Sequence, residues 1–246
     1  MADLVTLDLG RAPYGPTVRL QQRLHAEVRQ AHQERAYLVL VEHDPPVITL
    51  GRGADEAHVT ASRERLEADG VEVHPSARGG DVTCHGPGQL VAYPILRLDL
   101  HGRDVRGYLR DLEEVLIRVL ARFGLQGDRA EGMTGVWVGR EKIAAIGVAI
   151  RRWVTWHGIA LNVAAHLDHF RLIVPCGIPN RGVTSLARAL GREVSVAAVK
   201  PHLVECMVEV FGFDAAREGE APEPGLSEPG LSEPRSVELR QPEPRS

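Results

Sequence analysis

Residues 135–163 read GVWVGREKIAAIGVAIRRWVTWHGIALNV, and their pattern decides the fold class. Three β-compatible runs, Gly135 to Val138, Lys142 to Ile150 and Val154 to Val163, follow one another across turns of only a few residues. Parallel neighbours need a crossover of a dozen residues or more, so turns this short demand antiparallel pairing. The expectation is an α+β fold: a mixed, largely antiparallel β-sheet with helices packed on it, and not a repeating βαβ wheel.

Working outward, the clearest helix is Asp104 to Phe123. Asp104 can cap it, Val105, Leu109, Leu112, Leu116, Val119 and Phe123 recur at helical spacing, and Gly124 ends it. Further upstream, residues 3–9 predict a first strand, Tyr14-Gly15-Pro16-Thr17 a turn, and Val18 to His32 a helix. Two short strands, Ala36 to Val41 and Val47 to Leu50, flank the proline turn Glu42 to Pro46. Thr60 to Asp69 predicts a short helix closed by Gly70, and Val71 to His74 a strand. Downstream, His166 to Arg171 reads as a helical turn and Leu172-Ile173-Val174 as an apolar strand leading into Pro175-Cys176-Gly177. Thr184 to Leu190 predicts a helix stopped by Gly191. Ser195 opens a last helical stretch that Pro201 either splits or restarts. The predicted organisation is one folded domain over residues 1–215. A low-complexity tail over 216–246, with a tandem EPGLS at Glu223 to Ser232, has too little apolar content to fold by itself.

Composition narrows the chemistry. With 246 residues, 43% of them hydrophobic, the chain can bury a sizeable core. A net charge of −4 gives no electrostatic reason to expect nucleic acid or an acidic membrane as partner. Cys84, Cys176 and Cys206 lack CxxC spacing and are odd in number, against both a disulfide framework and a zinc site. No signal pattern and no membrane-length apolar run is present, so a reducing cytoplasm is the expected compartment. Lys142 and Lys200 are the only lysines among many arginines. Lysine can lose its proton in a protein and arginine effectively cannot.

A second stretch, Arg78 to Pro94 (RGGDVTCHGPGQLVAYP), has the density of a site: four glycines, two prolines, an Arg, a Cys and a His. It is neither a dinucleotide fingerprint nor a P-loop. Its spacing suits an ordinary glycine-rich hairpin as well as a ligand loop. Cys176, on a bend between Pro175 and Gly177, is the best nucleophile candidate, against the alternative of a small buried apolar residue. Cys206 reads as helix packing. Cys84 reads as a side chain facing the core, with a nucleophile as the alternative. Lys142 opens a strand whose Ala144, Ala145 and Gly147 leave room beside it; it reads either as a cationic partner for a thiolate or as a strand-end surface lysine. His157 could complete a Cys-His dyad or merely make a core hydrogen bond.

Taken in order, the motifs resemble the octanoyltransferase family of lipoate biosynthesis. They are EHDPPVITLGR, Arg78-Gly79-Gly80, Thr83, His85 to Gln89, Tyr93-Pro94, Lys142 to Gly147, His157-Gly158, Ala160-Leu161-Asn162, Pro175 to Ile178 and Val183 to Leu186. The resemblance spans roughly Leu38 to Phe213 and leaves out the tail. It implies the fold of the biotin and lipoate ligase catalytic domains. It also implies transfer of an octanoyl group from octanoyl-acyl carrier protein to the lysine amine of lipoyl domains, on 2-oxoacid dehydrogenase E2 subunits and the glycine-cleavage H protein. By matching positions, Cys176 carries the acyl thioester and Lys142 lowers its pKa and acts as acid/base. Arg78, Gly79, Gly80, Asp81, Val82, Thr83, Cys84 and His85, then Ala145, Ile146 and Gly147, then Gly158, Ile159 and Ala160, line the acyl site. Position 84, usually a bulky aromatic in the family, is Cys here. Exchange between thioesters is nearly balanced, so no cofactor, metal or nucleotide is implied. Burying an octanoyl chain at about 0.8 kcal/mol per CH₂ gives roughly 5 to 6 kcal/mol of gross binding. The competing expectation is an ATP-dependent lipoate or biotin ligase on the same fold.

Overall fold

The computed structural model describes residues 3–31, 35–164, 167–174 and 182–220. In chain order the elements are β1 (Leu4–Ala12), α1 (Tyr14–Gln30), β2 (Ala36–His43), β3 (Val47–Leu50), α2 (Arg63–Ala68), β4 (Glu72–Pro75), β5 (Val82–His85) and β6 (Gln89–Ile95). Then come α3 (Val105–Arg122), β7 (Val136–Val138), β8 (Glu141–Arg151), β9 (Val154–Asn162), α4 (Leu186–Leu190), α5 (Val196–Phe211) and β10 (Ala216–Glu218).

The predicted meander is present: β7, β8 and β9 pair antiparallel, with Gly147 opposite Gly158. It joins a seven-stranded sheet of order β10-β1-β2-β6-β9-β8-β7, in which β1 pairs parallel with both β2 and β10. A separate three-stranded sheet, β4-β3-β5, pairs β3 parallel with β4 and antiparallel with β5. The fold is thus mixed α+β, and mostly antiparallel.

Helices cover both faces of the large sheet. On one face α3 and α5 bury Leu112, Leu116, Val119, Leu203 and Met207 against Leu38, Leu90, Ile143 and Leu161. On the other, α1 packs Leu20, Leu24 and Val28 against Val39, Val91 and Ile95. Each fully buried aliphatic of this kind contributes about 1.5–3 kcal/mol. α3 begins where its cap requires, with the Asp104 carboxylate accepting from the Arg106 N–H. Among the described residues, no helix is long and apolar enough to cross a membrane.

Four expectations need correction. α1 starts at Tyr14 and not Val18, because Pro16 falls in the first turn, where a helix has no partner for its N–H anyway. The buried Tyr14 hydroxyl bonds Ser76 Oγ at 3.0 Å and pins that turn to the fold. Leu172 to Val174 is not a strand. Leu167–Leu172 is a 3₁₀ helix, and Ile173 makes a single bridge to Val59. Leu172 and Ile173 bury their side chains in the cluster under the small sheet, so apolarity there reflects packing and not a ladder. α5 runs unbroken through Pro201, anchored by Val199, Leu203, Cys206 and Met207 on its buried side. The tail's first residues are also structured: Ala216–Glu218 extend the large sheet along β1, and Arg217 pairs with Asp3 at 2.7 Å.

Candidate active site

A cavity of about 390 Å³ lies between the large sheet and the small one, walled by β5, β6, β8, β9 and the glycine turn that precedes β5. The resemblance places fifteen residues there besides Cys176, Lys142 included. Arg78 to Thr83, His85, Lys142, Ala145 to Gly147 and Gly158 to Ala160 do line this cavity. Cys84 does not. β5 alternates, so Thr83 and His85 face the cavity while Cys84 packs with Ile48, Leu50, Leu66 and Ile173. Burial alone pushes the Cys84 thiol up to about 12, which leaves it protonated and inert near neutrality. Cys176 lies outside the described residues, as do its neighbours Pro175 and Gly177.

Lys142 stands at the start of β8, one edge of the cavity. Its backbone is held from both sides, since its N–H donates to Gly182 O at 2.9 Å and its carbonyl accepts from Thr184 N at 3.0 Å. Its ammonium lies 5.1 Å from the ring centroid of the buried Trp137, a cation–π distance. Gly135, with φ at 135°, leaves the room the side chain needs. A Cβ there would stand 2.6 Å from Lys142 Cε. The Gly135 N–H in turn donates to the buried carboxylate of Glu113 on α3, which also binds Arg110 and Arg129. None of Gly135, Trp137 or Glu113 was singled out from sequence. The only available signal was a glycine heading a strand.

Arg78 is buried, and its guanidinium braces the loop it begins. Nε and Nη2 bond Thr49 Oγ1, Nη2 also bonds the Thr49 and Asp81 carbonyls at 2.7 Å, and Nη1 bonds Gly79 O at 3.0 Å. A planar fork of five donors suits this backbone-gathering role, and a lysine could not reproduce it. The loop closes on β3 so tightly that a Cβ on Gly51 would meet Gly80 O at 2.3 Å. Asp81 Oδ2 sits 2.5 Å from His58 Nδ1.

His157 lies in the wall opposite Val148, six residues along β8 from Lys142 and so about 20 Å from it. The dyad expected of His157 would pair it with Cys176, which lies outside the described residues. The His157 backbone adopts φ 55°, and its N–H bonds Gln21 Oε1 at 2.9 Å. Loss of solvent lowers His43 to about 4 and both His85 and His157 to about 3, so all three are neutral in the folded protein. Unfolded, each returns to its ordinary 6.5 and binds a proton as pH falls below that value, while the native state binds none until near 4. Stability is therefore complete above pH 6.5 and falls from there toward pH 4, by up to about 1.4 kcal/mol per pH unit for each histidine. Urea midpoints across pH 4 to 8 check this. A flat profile below pH 6.5 would contradict neutral burial.

Residues 13–208 match the family described as "Lipoyl protein ligase A/B catalytic domain". An octanoyltransferase of Chloroflexus aggregans is 50% identical over 214 residues, covering 86% of this chain and 96% of that protein. The chain belongs to the octanoyltransferase family. An octanoyltransferase of Nitratidesulfovibrio vulgaris agrees, at 44% identity across 89% of this chain and 99% of its own length. The family assignment makes the chain a transferase enzyme. Among solved structures, a putative lipoate protein ligase from T. acidophilum with bound lipoic acid superposes with TM-score 0.71 at 17% identity, covering 91% of this chain and 90% of that one. A biotin protein ligase from Aquifex aeolicus, in complex with biotin and ATP, gives 0.52 at 10% identity over 86% of this chain and 71% of that one. At such identities these two likenesses establish the octanoyltransferase's fold alone. Among the described residues, no cluster of three or more His, Cys, Asp or Glu is arranged to hold a metal ion.

Proposed function

We propose that the enzyme moves an octanoyl group from octanoyl-acyl carrier protein, through a thioester on Cys176, to the lysine amine of a lipoyl domain. In the first half, the Cys176 thiolate attacks the donor's carbonyl carbon. A new C–S bond forms, the carrier's C–S bond breaks, and the departing sulfur takes up from Lys142 the proton that Cys176 gave to that lysine. In the second half, the acceptor amine attacks, the C–N bond forms, and the C–S bond to Cys176 breaks. The amine's proton passes through Lys142 to the departing sulfur. An ammonium beside the sulfur favours thiolate, each unit of lowered pKa being worth about 1.4 kcal/mol. The acceptors are the lipoyl domains of 2-oxoacid dehydrogenase E2 subunits and the glycine-cleavage H protein.

The observation that carries this reading is the position of Lys142. Of the two lysines in the sequence, it is the one that lines the cavity, while Lys200 is paired with Asp8 at 2.7 Å elsewhere. The cavity volume falls in the range of small-molecule sites, about 300–1,000 Å³. Its small-residue wall, Ala145, Gly147, Gly158 and Ala160, suits an unbranched alkyl chain. The ligase alternative rests on relatives of 10–18% identity, whereas the octanoyltransferases reach 44–50%.

Incubation with octanoyl-acyl carrier protein, without ATP, is expected to leave an octanoyl adduct in the intact mass. The adduct moves to an added lipoyl domain, and Cys176→Ala abolishes it. An adduct that persists in Cys176→Ala removes that residue from the role. Transfer that occurs only from free octanoate with ATP establishes the ligase instead.

A further inference from the structure

One buried chain of hydrogen bonds runs from the cavity wall to the backbone beside Lys142. His85 Nδ1 lies 2.6 Å from Gln89 Oε1, Gln89 Nε2 is 2.8 Å from Asn162 Oδ1, and Asn162 Nδ2 is 3.0 Å from Thr184 O. The Thr184 N–H bonds the Lys142 carbonyl. All four residues are buried, at 2–7% exposure. The turn at Gly86-Pro87-Gly88 sets His85 and Gln89 four residues apart on one side, with Gly88 at φ 82° and the Gln89 N–H bonded to Gly86 O. Strand register places Gln89 directly opposite Asn162.

The direction of every proton in this chain follows from one end. A backbone carbonyl only accepts, so Thr184 O requires the NH₂ of Asn162, which turns Oδ1 toward Gln89. Oδ1 also only accepts, so Gln89 presents its NH₂. The same NH₂ lies 3.4 Å from the Cys84 carbonyl, a second acceptor. Gln89 Oε1 is then left for His85, and Nδ1 must donate. A neutral imidazole with its proton on Nδ1 has a bare lone pair on Nε2.

We propose that Gln89 and Asn162 are positioning residues that hold His85 as the Nδ1–H tautomer, so that Nε2 accepts a hydrogen bond from the attacking lysine amine in the cavity. The role of the amine rests on the function proposed above; the tautomer does not. His85 and Lys142 line the same cavity, the chamber to which the function proposed above assigns C–N bond formation and C–S bond cleavage. Burial above all keeps the ring from protonating. The Arg78 guanidinium of the glycine turn adds to the effect, the Gln89 hydrogen bond opposes it, and the neighbouring His43 of β2 and His157 of β9 are themselves uncharged. His43 lies 5.8 Å from His85, ring to ring. The nitrogen therefore holds an N–H in place without taking its proton.

Two readouts test this. In histidine-¹⁵N-labelled enzyme at pH 7, the His85 ring, identified by its loss in His85→Gln, is expected to show a protonated Nδ1 and a bare Nε2. Asn162→Leu and Gln89→Leu are expected to scramble the tautomers. In single turnovers, both variants should form the acyl-enzyme at a rate within about threefold of wild type and pass it to a lipoyl domain about tenfold more slowly, as for one lost hydrogen bond. Gln89→Glu keeps an acceptor for Nδ1–H but adds a carboxylate that raises the His85 pKa. Its aminolysis rate should gain an acidic limb that wild type lacks, because protonation blocks Nε2. Equal slowing of both half-reactions with an unchanged pH profile, or a wild-type ring protonated on Nε2, would overturn the proposal. A wild-type enzyme that forms no acyl-enzyme fails the proposed function and removes the amine's part with it, while the tautomer measurement still decides the relay.

Discussion

Replacing Lys142 with alanine is expected to slow octanoyl transfer at neutral pH by about 100-fold or more, the usual range for loss of a positioned acid–base group. The rise of rate with pH should also move to higher pH. The sign follows from the charge: an ammonium stabilises thiolate, so removing it raises the thiol pKa and lowers the ionised fraction at any fixed pH below it. The surroundings make the residue hard to replace. Its backbone is clamped between Gly182 and Thr184, its ammonium lies over Trp137, and Gly135 leaves space only because it has no Cβ. Arginine should therefore not rescue, since its fork is larger and does not give up a proton. Lys200→Ala serves as the control. Its partner Asp8 is half exposed, and such surface pairs contribute at most about 1 kcal/mol. A pH–rate profile of Lys142→Ala that overlays wild type in height and position removes the residue from the chemistry.

What could be read from sequence was what local pattern controls. The meander of β7 to β9 showed itself through period and turn length, and α3 through its cap and apolar stripe. Small residues along β8 and β9 marked where the cavity wall would be, although not what faces it. The misreadings share one cause, which is that tertiary context overrode a local signal. Pro16 looks like a stop but is harmless in a helix's first turn, and Leu172-Ile173 looks like a strand but is apolar because it covers the small sheet's underside. Cys84 is placed in the acyl site only by the resemblance; its own reading as a core-facing side chain is what strand alternation produces. Glu113 was hidden inside a helix that otherwise reads as scaffold, and it reaches Gly135 across 22 positions of sequence. Gln89 and Asn162 belong to recognisable motifs, but their partnership spans 73 positions and exists only because β6 and β9 are neighbours.

The second large effect is expected at Gly158, where substitution by alanine should destabilise the whole fold and not merely narrow the acyl slot. A Cβ there would stand 2.2 Å from the Ala92 carbonyl oxygen and 2.6 Å from Pro94 Cδ. Both atoms belong to β6, at the centre of the large sheet, whose residues Gln89 to Ile95 are all buried. Neither a main-chain oxygen nor a proline ring can swing aside as a long side chain would. Relief requires β6 and β9 to separate, and overpacking of a rigid core typically costs about 1–3 kcal/mol or more. For a domain of this size, about 3 kcal/mol lowers Tm by roughly 6–12 °C. Gly147, directly opposite, is different: a Cβ there meets Arg78 Cδ at 3.0 Å and Gly79 O at 3.3 Å, in the glycine turn above the cavity and not in the sheet. Gly147→Ala should therefore lose acyl-enzyme formation more than stability, and Gly158→Ala the reverse. Thermal melts beside single-turnover acylation separate the two. A Gly158→Ala enzyme that melts like wild type but fails to take up octanoyl would show that this glycine makes room for substrate and not for its neighbouring strand.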